Sequence, residues 1–267
     1  MNSRLLAREV GLPHHEVERL LQLVTGLGRA DLMAGATLAE DQRARFEELA
    51  HRRLSGEPLQ YLEGMVPFGP IEVMVDRRVL IPRPETEHLW ELAVQAANDP
   101  RIIVDLCTGS GNLALALKHH YPGARVLGTD LSFDALEVAR ANARRLRLDV
   151  ELLEGSLFDC LPPSIRGLVD LAVANPPYVA EGEVADLPVE VKDYEPRHAL
   201  VAGPRGDEVL SEIAEAAADW LAPEGLLLCE IAETQGDRAL LLFGSTLEVE
   251  LRTDLAGKTR YVLARKS

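Results

Sequence analysis

The stretch Asn175-Pro176-Pro177-Tyr178 contains residue types that could hold a planar amide group. It follows an apolar run, residues 169–174, which predicts a buried strand that ends at the prolines. Because proline lacks a backbone N–H and has a fixed φ, the chain must leave the sheet as a stiff loop. The amide oxygen of Asn175 and the carbonyl of Pro176 could accept two N–H groups, while Tyr178 stacks on the amide plane. The competing interpretation is an ordinary strand exit in which Asn175 forms a turn.

A glycine-containing turn, Cys107-Thr108-Gly109-Ser110-Gly111, follows a second apolar run at residues 102–106. Its two glycines allow tight turning and close approach of a ligand to the backbone. The N–H groups at the start of the following helix favour an anionic group such as a carboxylate. Asp105 precedes the turn, where its carboxylate suits a ligand that carries an ammonium group and repels a diphosphate. The competing interpretation of Asp105 is a carboxylate that caps the helix.

Asp130 ends the next predicted strand, where a carboxylate can accept hydrogen bonds from both hydroxyls of a ribose. S-adenosylmethionine has an ammonium, a carboxylate, a ribose and an adenine, and it matches these features. A dinucleotide site would normally contain a third glycine, which this turn lacks. We expect the residues after the third strand to flank the adenine. The further residues assigned to this cofactor site are Leu131, Ser156, Leu157, Phe158 and Asn175.

Alternating strands and helices from residue 101 onward would position these side chains. Apolar runs predict strands at residues 102–106, 124–130, 150–154, 168–174 and 225–231. The pattern predicts an α/β fold with a mostly parallel, Rossmann-like sheet and helices on both faces. An antiparallel C-terminal hairpin, residues 247–253 and 259–264, closes the sheet. Because parallel strands end at one edge, the glycine turn, Asp130 and Asn175 should lie near one another.

The chain divides into three predicted parts. Apolar residues at helical spacing predict a helical N-terminal substrate-docking domain, residues 1–62. Residues 63–84 predict a β-hairpin linker, in which alternation around Ile71, Val73 and Val75 is followed by a second apolar segment at residues 79–81. The catalytic domain then spans residues 85–267.

Composition limits the classes of partner. The net charge of −15 counts against nucleic acid, because proteins that bind it usually present a basic surface. No apolar window reaches the length of a membrane span, and the first residues do not resemble a signal peptide. Cys107, Cys160 and Cys229 lie in apolar contexts without zinc-ligand spacing. We therefore expect a cytoplasmic monomer with no metal and no membrane association.

With these motifs in this order, the chain resembles class I S-adenosylmethionine-dependent methyltransferases with an NPPY signature, which methylate planar amino groups. Four further segments resemble the PrmC/HemK family: residues 56–62 (GEPLQYL), 79–87 (VLIPRPETE), 194–200 (YEPRHAL) and 254–260 (DLAGKTR). The resemblance covers nearly the whole chain, including the helical N-terminal part. It implies methylation of the glutamine amide in the Gly-Gly-Gln motif of peptide chain release factors.

The resemblance also implies how the NPPY residues act. Asn175, Pro176 and Tyr178 are the expected catalytic residues, and together with Pro177 they are expected to bind the substrate. An amide nitrogen is a poor nucleophile because its lone pair is delocalised, whereas a sulfonium methyl group is already activated. Holding both amide hydrogens aims the nitrogen at the methyl carbon and stabilises the positive charge that develops on it. None of these motifs contains an obvious strong base.

Two residues depart from the family pattern. Cys107 stands where the family usually has Gly, and Ser156 stands where an acidic residue is common. The turn sequence DLCTGSG is more typical of a sister group that methylates a glutamine of a large-subunit ribosomal protein. A ribosomal protein is therefore an alternative substrate, and an adenine in nucleic acid is another that the net charge disfavours. A binding module without catalysis is a further alternative, against which the intact NPPY stretch counts.

Overall fold

The computed structural model describes residues 11–267, and the first ten residues of the predicted N-terminal domain lie outside the described part. From residue 11 onward this domain is helical. Its apolar side chains, among them Val17, Leu20, Phe46 and Leu49, form a core cluster of their own. The helices are α1 (His14–Thr25), α2 (Arg29–Ala34), α3 (Glu40–Leu54) and α4 (Leu59–Glu63).

A two-stranded antiparallel hairpin follows, formed by β1 (Met65–Phe68) and β2 (Ile71–Met74). It lies within the predicted linker. The predicted strand around Ile71 and Val73 is present as β2, but its partner is β1 and not the predicted segment at residues 79–81. The turn lies between Phe68 and Ile71, where Gly69 adopts a φ of +49°, so the segment that begins at Ile71 is the second strand. Residues 79–81 form no strand, although Val79 is buried and its carbonyl accepts a hydrogen bond from the Tyr61 hydroxyl at 2.6 Å.

The rest of the chain alternates between helices and strands. Its α-helices are α5 (Pro84–Ala96), α6 (Asn112–His120), α7 (Phe133–Leu146), α8 (Val189–Lys192), α9 (Glu208–Trp220) and α10 (Gly236–Phe243). Short 3-10 helices span Pro163–Ile165, Glu181–Asp186, Arg197–Ala199 and Glu233–Gln235. The strands are β3 (Ile102–Leu106), β4 (Arg125–Asp130), β5 (Glu151–Glu154), β6 (Val169–Ala174), β7 (Val179–Ala180), β8 (Val201–Gly203), β9 (Leu221–Glu230), β10 (Glu248–Thr253) and β11 (Thr259–Arg265).

Within residues 11–267, the largest sheet has seven strands in the order β10-β11-β9-β6-β3-β4-β5. The pairs from β9 through β5 are parallel, whereas β11 pairs antiparallel with both β9 and β10. This confirms the predicted mostly parallel sheet with an antiparallel C-terminal hairpin. The chain moves outward from β3 to β5 and then returns to place β6 on the other side of β3. Such a reversal leaves a crevice at the carboxyl ends of the strands.

Both faces of the sheet are covered by helices, which explains why its central strands are apolar throughout. In β6, Leu171 and Val173 belong to the core cluster on one face, whereas Ala172 and Ala174 belong to the cluster on the other. The polar residues that follow these strands therefore lie just outside the apolar core, at the carboxyl edge of the sheet. The helices within residues 11–267 are too short or too polar to cross a lipid bilayer.

Candidate active site

The glycine turn after β3 is a left-handed stretch of backbone. Cys107, Gly109 and Gly111 have φ angles of +59°, +54° and +81°. A Cβ atom on Gly109 would meet no atom within 4 Å, so this glycine serves the backbone conformation and leaves space above the turn. A Cβ atom on Gly111 would lie 3.2 Å from the Ala139 Cβ atom of α7. Gly111 therefore also permits the close packing of two helices under the turn.

Asp130, at the end of β4, ties the neighbouring turns together. One carboxylate oxygen accepts the backbone N–H of Gly109 at 2.8 Å, and the other accepts the N–H of Ser132 at 2.9 Å. Burial raises the pKa of Asp130 above its usual value, and the two backbone hydrogen bonds oppose that shift. Each carboxylate oxygen has a second acceptor site. The side chain can therefore support the glycine turn and still accept hydroxyl groups from a ligand.

Asp105 is fully buried beneath the turn. Its Oδ2 atom accepts the hydroxyl of Thr108 at 2.5 Å and the backbone N–H of Ala114, in the first turn of α6, at 3.0 Å. One of the two Asp105 oxygens, Oδ2, thus caps the start of α6, as the competing interpretation predicted. The other oxygen, Oδ1, is buried and has no hydrogen-bond partner among residues 11–267. Burial raises the pKa of Asp105 to about 7, with the two hydrogen bonds opposing the shift.

Asn142, a buried residue of α7, links the hairpin to the glycine turn. Its amide nitrogen donates to the carbonyls of Met74 and Ser110, at 3.0 and 2.9 Å, and its oxygen accepts the N–H of Met74 at 2.7 Å. Both backbone groups of Met74 and the carbonyl of Ser110 are thereby joined through one side chain. The sequence analysis missed this role, because a polar residue on a helix normally predicts a solvent-exposed position.

A cavity of about 430 Å³ opens above these groups at the carboxyl ends of β3, β4, β5 and β6. Its wall brings together most of the residues assigned from the sequence. These are Cys107, Thr108, Gly109, Ser110, Asp130, Leu131, Ser156, Leu157, Asn175 and Pro177. The wall also contains Arg78, Thr86 and His198, which the assignment did not include.

Five assigned residues do not line the cavity: Asp105, Gly111, Phe158, Pro176 and Tyr178. Phe158 differs most from expectation, because its side chain is 1% exposed and stacks on Trp220 with ring centroids 5.9 Å apart. It belongs to the core on one face of the sheet, while the preceding Leu157 reaches the cavity. Pro176 is buried, whereas its neighbours Asn175 and Pro177 both line the cavity.

Asn175 follows β6 directly and contacts α5. Its amide nitrogen donates to the hydroxyl of Thr86 at 2.8 Å, and that hydroxyl lies 2.8 Å from an oxygen of Glu230 at the end of β9. Thr86 and Glu230 are 2% and 1% exposed. The Asn175 side chain is half-buried at the cavity wall and is not turned into the hydrophobic core. Its amide oxygen is thus the group left to face the cavity.

Glu230 is a carboxylate within the structural core. Burial raises its pKa to about 7, and hydrogen bonds from Thr86 and Tyr178 oppose the shift. Burial also raises the pKa of Tyr178 to about 12, and the negative charge of Glu230 adds to that shift. Tyr178 and Glu230 thus influence the pKa of each other, while Thr86 makes the hydrogen bond to this carboxylate. The only sequence signal for Glu230 was its place as the polar end of an apolar strand.

The loop beyond Tyr178 is anchored by ion pairs. Arg83 lies 2.5 Å from Glu195, which is buried and whose pKa is raised by burial. Arg53 of α3 pairs with Glu190 at 2.8 Å, and the hydroxyl of Tyr194 donates to the Ser55 carbonyl at 2.8 Å. These contacts join the N-terminal helices to the loop that follows the NPPY stretch. The segment quoted in the sequence analysis as YEPRHAL thus lies between the N-terminal domain and the cavity.

Known proteins resemble this chain over nearly its whole length. A family profile described as the PrmC N-terminal domain matches residues 1–64, and one described as the methyltransferase small domain matches residues 88–190. A release factor glutamine methyltransferase of Mycolicibacterium smegmatis is 41% identical, over 99% of this chain and 94% of its own length. One from Deinococcus radiodurans is 38% identical, over 99% and 95%. The chain belongs to the release factor glutamine methyltransferase family.

Solved structures of lower identity share the fold of the family's methyltransferase part. A methyltransferase from Pyrococcus furiosus is 17% identical and superposes with a TM-score of 0.51, covering 85% of this chain and 98% of its own. A 16S rRNA methyltransferase of T. thermophilus, in complex with AdoMet and guanosine, is 18% identical with a TM-score of 0.54. It covers 76% of this chain and 50% of its own. These likenesses show the class I methyltransferase fold. The full-length relatives and the domain match show that the chain is a methyltransferase.

Proposed function

We propose that this chain transfers a methyl group from S-adenosylmethionine to the side-chain amide nitrogen of the glutamine in the Gly-Gly-Gln motif of peptide chain release factors. The observation that carries the proposal is the orientation of Asn175, whose amide oxygen is left facing a cavity that also contains the glycine turn and Asp130. Relatives that match nearly the full length are release factor glutamine methyltransferases, which supports the same substrate.

The residues around the turn fit the proposed cofactor. Asp105 has a buried oxygen without a partner among residues 11–267, which is what a ligand ammonium group would satisfy. Asp130 can accept the ribose hydroxyls, and the space above Gly109 allows a carboxylate to approach the backbone N–H groups of the turn. Leu131 and Leu157 would enclose the adenine. When bound, the cofactor supplies a sulfonium methyl group that needs no further activation.

Asn175 and Pro176 would hold the substrate. Their two oxygens accept the two N–H groups of the glutamine amide, so that its nitrogen lone pair is directed into the cavity. As positive charge develops on that nitrogen, the same oxygens stabilise it. Pro177 keeps the loop rigid, and the ring of Tyr178, held by its hydroxyl near Glu230, supports the amide plane.

The proposed division of labour follows the three predicted parts of the chain. Residues 1–62 dock the release factor, residues 63–84 form the hairpin linker and residues 85–267 carry out the transfer. The contacts of Arg53 with Glu190 and of Tyr194 with Ser55 support this division, because they link the docking part to the loop beside the cavity. We propose that the enzyme acts as a monomer in the cytoplasm, where translation termination occurs.

The experiment is methyl transfer from labelled S-adenosylmethionine to purified substrates by the full-length chain. The substrates are a release factor, the same release factor with its Gly-Gly-Gln glutamine replaced by alanine, the large-subunit ribosomal protein, and RNA. We expect label only on the intact release factor, and mass spectrometry should locate one methyl group on that glutamine. Label on the ribosomal protein, or on the release factor without its glutamine, would refute the proposal.

A further inference from the structure

The side-chain amide of Asn175 can be placed in two ways that differ by rotation of its terminal group. In one, the oxygen faces the cavity and can accept a substrate N–H. In the other, the NH₂ group faces the cavity and meets the substrate NH₂ donor to donor. Asparagine oxygen and nitrogen have nearly the same shape, so packing alone does not choose between the two placements. Hydrogen bonding on the far side of the amide must make the choice.

Thr86 supplies that far-side contact, and Glu230 determines its direction. A threonine hydroxyl has a single hydrogen, whereas a carboxyl oxygen that carries no proton only accepts hydrogen bonds, as the Glu230 Oε2 atom does from Thr86. With its hydrogen directed to Glu230 at 2.8 Å, the Thr86 oxygen can only accept from Asn175, also at 2.8 Å. The amide nitrogen of Asn175 must then face Thr86, which leaves the amide oxygen for the cavity.

The fold brings these three residues together from distant parts of the sequence. In the parallel pair of β6 and β9, Ala174 lies beside Cys229, so the next residues, Asn175 and Glu230, are neighbours at the same edge. Thr86 lies in the first turn of α5, which begins at Pro84 and packs on β9. Thr86 and Glu230 are both almost fully buried, so water does not compete for their hydrogen bonds.

We propose that Thr86 and Glu230 are positioning residues, which hold the Asn175 amide with its oxygen toward the substrate. The inference rests on the proposed methylation of a glutamine amide and adds the element that orients its acceptor. Thr86 lines the cavity, yet its hydroxyl is committed to the two side chains on either side of it. Glu230 acts through Thr86, whose hydroxyl it accepts.

The test compares Thr86→Val with Thr86→Ser. Valine keeps the shape of threonine but removes the hydroxyl, whereas serine keeps the hydroxyl. We expect Thr86→Val to lower kcat for release factor methylation by about tenfold or more, since loss of orientation at a reacting group is costly. The Kd for S-adenosylmethionine should stay within about threefold, and Thr86→Ser should restore most of kcat. Unchanged kcat in Thr86→Val, or a serine variant no better than valine, would overturn the inference.

Glu230→Gln tests the direction of the hydrogen bond with little change in shape. A glutamine amide can donate to Thr86 as well as accept from it, so the Asn175 amide is no longer held in one placement. We expect a loss of kcat in the same direction as in Thr86→Val, again with cofactor affinity retained. A wild-type kcat would remove Glu230 from the proposal. If Thr86→Val fails to bind the cofactor, Glu230→Gln still tests the positioning role.

A double-mutant cycle separates positioning from a general structural role. If Thr86 acts through Asn175, the double variant Thr86→Val/Asn175→Ala should turn over no more slowly than Asn175→Ala alone. If the two substitutions act independently, the fold losses in kcat of the two single variants should instead multiply in the double variant. Wild-type enzyme in the same assay reports on the proposed function: no methylation of the release factor would refute both. Methylation by wild type with multiplying losses in the cycle would refute the positioning role alone.

Discussion

The two halves of the cavity, which we propose bind the cofactor and the substrate respectively, are built by different means. The cofactor half, formed by residues 105–111 and Asp130, relies on backbone N–H groups held by carboxylates. The substrate half, formed by Thr86, Asn175 and Glu230, relies on side chains that hold one another. Removing one side chain from the first half leaves much of its backbone in place. Removing one from the second breaks a chain of hydrogen bonds and should alter the chemical step more than the affinity for cofactor.

The largest effect that we expect comes from Asn175→Ala, which removes the acceptor in the substrate half. Loss of one preorganised hydrogen-bonding group at a developing charge should lower kcat by about 10²–10³-fold. The Kd for S-adenosylmethionine, measured by calorimetry, should change by less than about threefold, because the cofactor half is intact. Asn98→Ala, at an exposed position before β3, is the matched control and should leave both quantities unchanged. Equal losses in kcat and cofactor affinity would mean that Asn175 only shapes the cofactor half.

Asp130→Asn gives the converse result for the cofactor half. Asparagine keeps one oxygen but turns an NH₂ group toward either Gly109 or Ser132, so one backbone donor loses its acceptor. The substitution also removes the charge that would accept the ribose hydroxyls. Because a hydrogen bond to a charged group contributes about 1.5–3 kcal/mol, loss of one should raise the Kd for S-adenosylmethionine by about 10–100-fold. At saturating cofactor, kcat should stay within about threefold. Asp134→Asn, an exposed residue in the first turn of α7, is the control. A fall in kcat with unchanged Kd would contradict the distinction between the halves.

The sequence predicted the two halves unequally well, and the reason is the separation of their parts. The cofactor half consists of one strand, the turn after it and the end of the next strand. Short local sequence patterns mark each of these parts, and they were enough to place Gly109 and Asp130 at the cavity. The contact between Thr86 and Glu230 joins residues 144 positions apart and depends on the register of β6 with β9. No local pattern encodes that register. Phe158 shows a related limit, because its neighbour Leu157 reaches the cavity while Phe158 turns into the core.

Each half contains one buried acid whose pKa is raised to about 7, Asp105 in the cofactor half and Glu230 in the substrate half. In the unfolded chain both titrate near pH 4, so between about pH 4 and 7 the folded state binds more protons. Their contribution to stability is therefore present at acid pH and is lost as the pH rises through about 7. From about pH 5.5 to 7.5 we expect each to lower the free energy of unfolding by about 1–2 kcal/mol.

Urea denaturation at the two pH values checks this expectation. Asp105→Asn and Glu230→Gln should each reduce the pH dependence relative to wild type, because each removes one titrating group. Saturating S-adenosylmethionine should reduce the contribution of Asp105 alone, since a ligand ammonium beside a carboxylate favours its charged form. If the cofactor reduces the Glu230 contribution equally, the halves are coupled and the comparison between them fails.

The smallest expected effect concerns Cys107, a position at which the family resemblance leads us to expect glycine. Its φ of +59° is a conformation that costs a residue with a Cβ atom about 1–2 kcal/mol. A β-branched side chain is still less tolerant of this conformation, so Cys107→Val should lower the free energy of unfolding by about 1 kcal/mol or more. Cys107→Gly should be no less stable than wild type, because relief of the backbone offsets the greater entropy of glycine in the unfolded chain. Urea denaturation measures the stability of both variants.

The affinity for the cofactor gives a second measurement at Cys107. Since the cofactor half is formed chiefly by backbone groups, Cys107→Gly should keep the wild-type Kd for S-adenosylmethionine. A weaker affinity would show that the thiol itself contributes to the site.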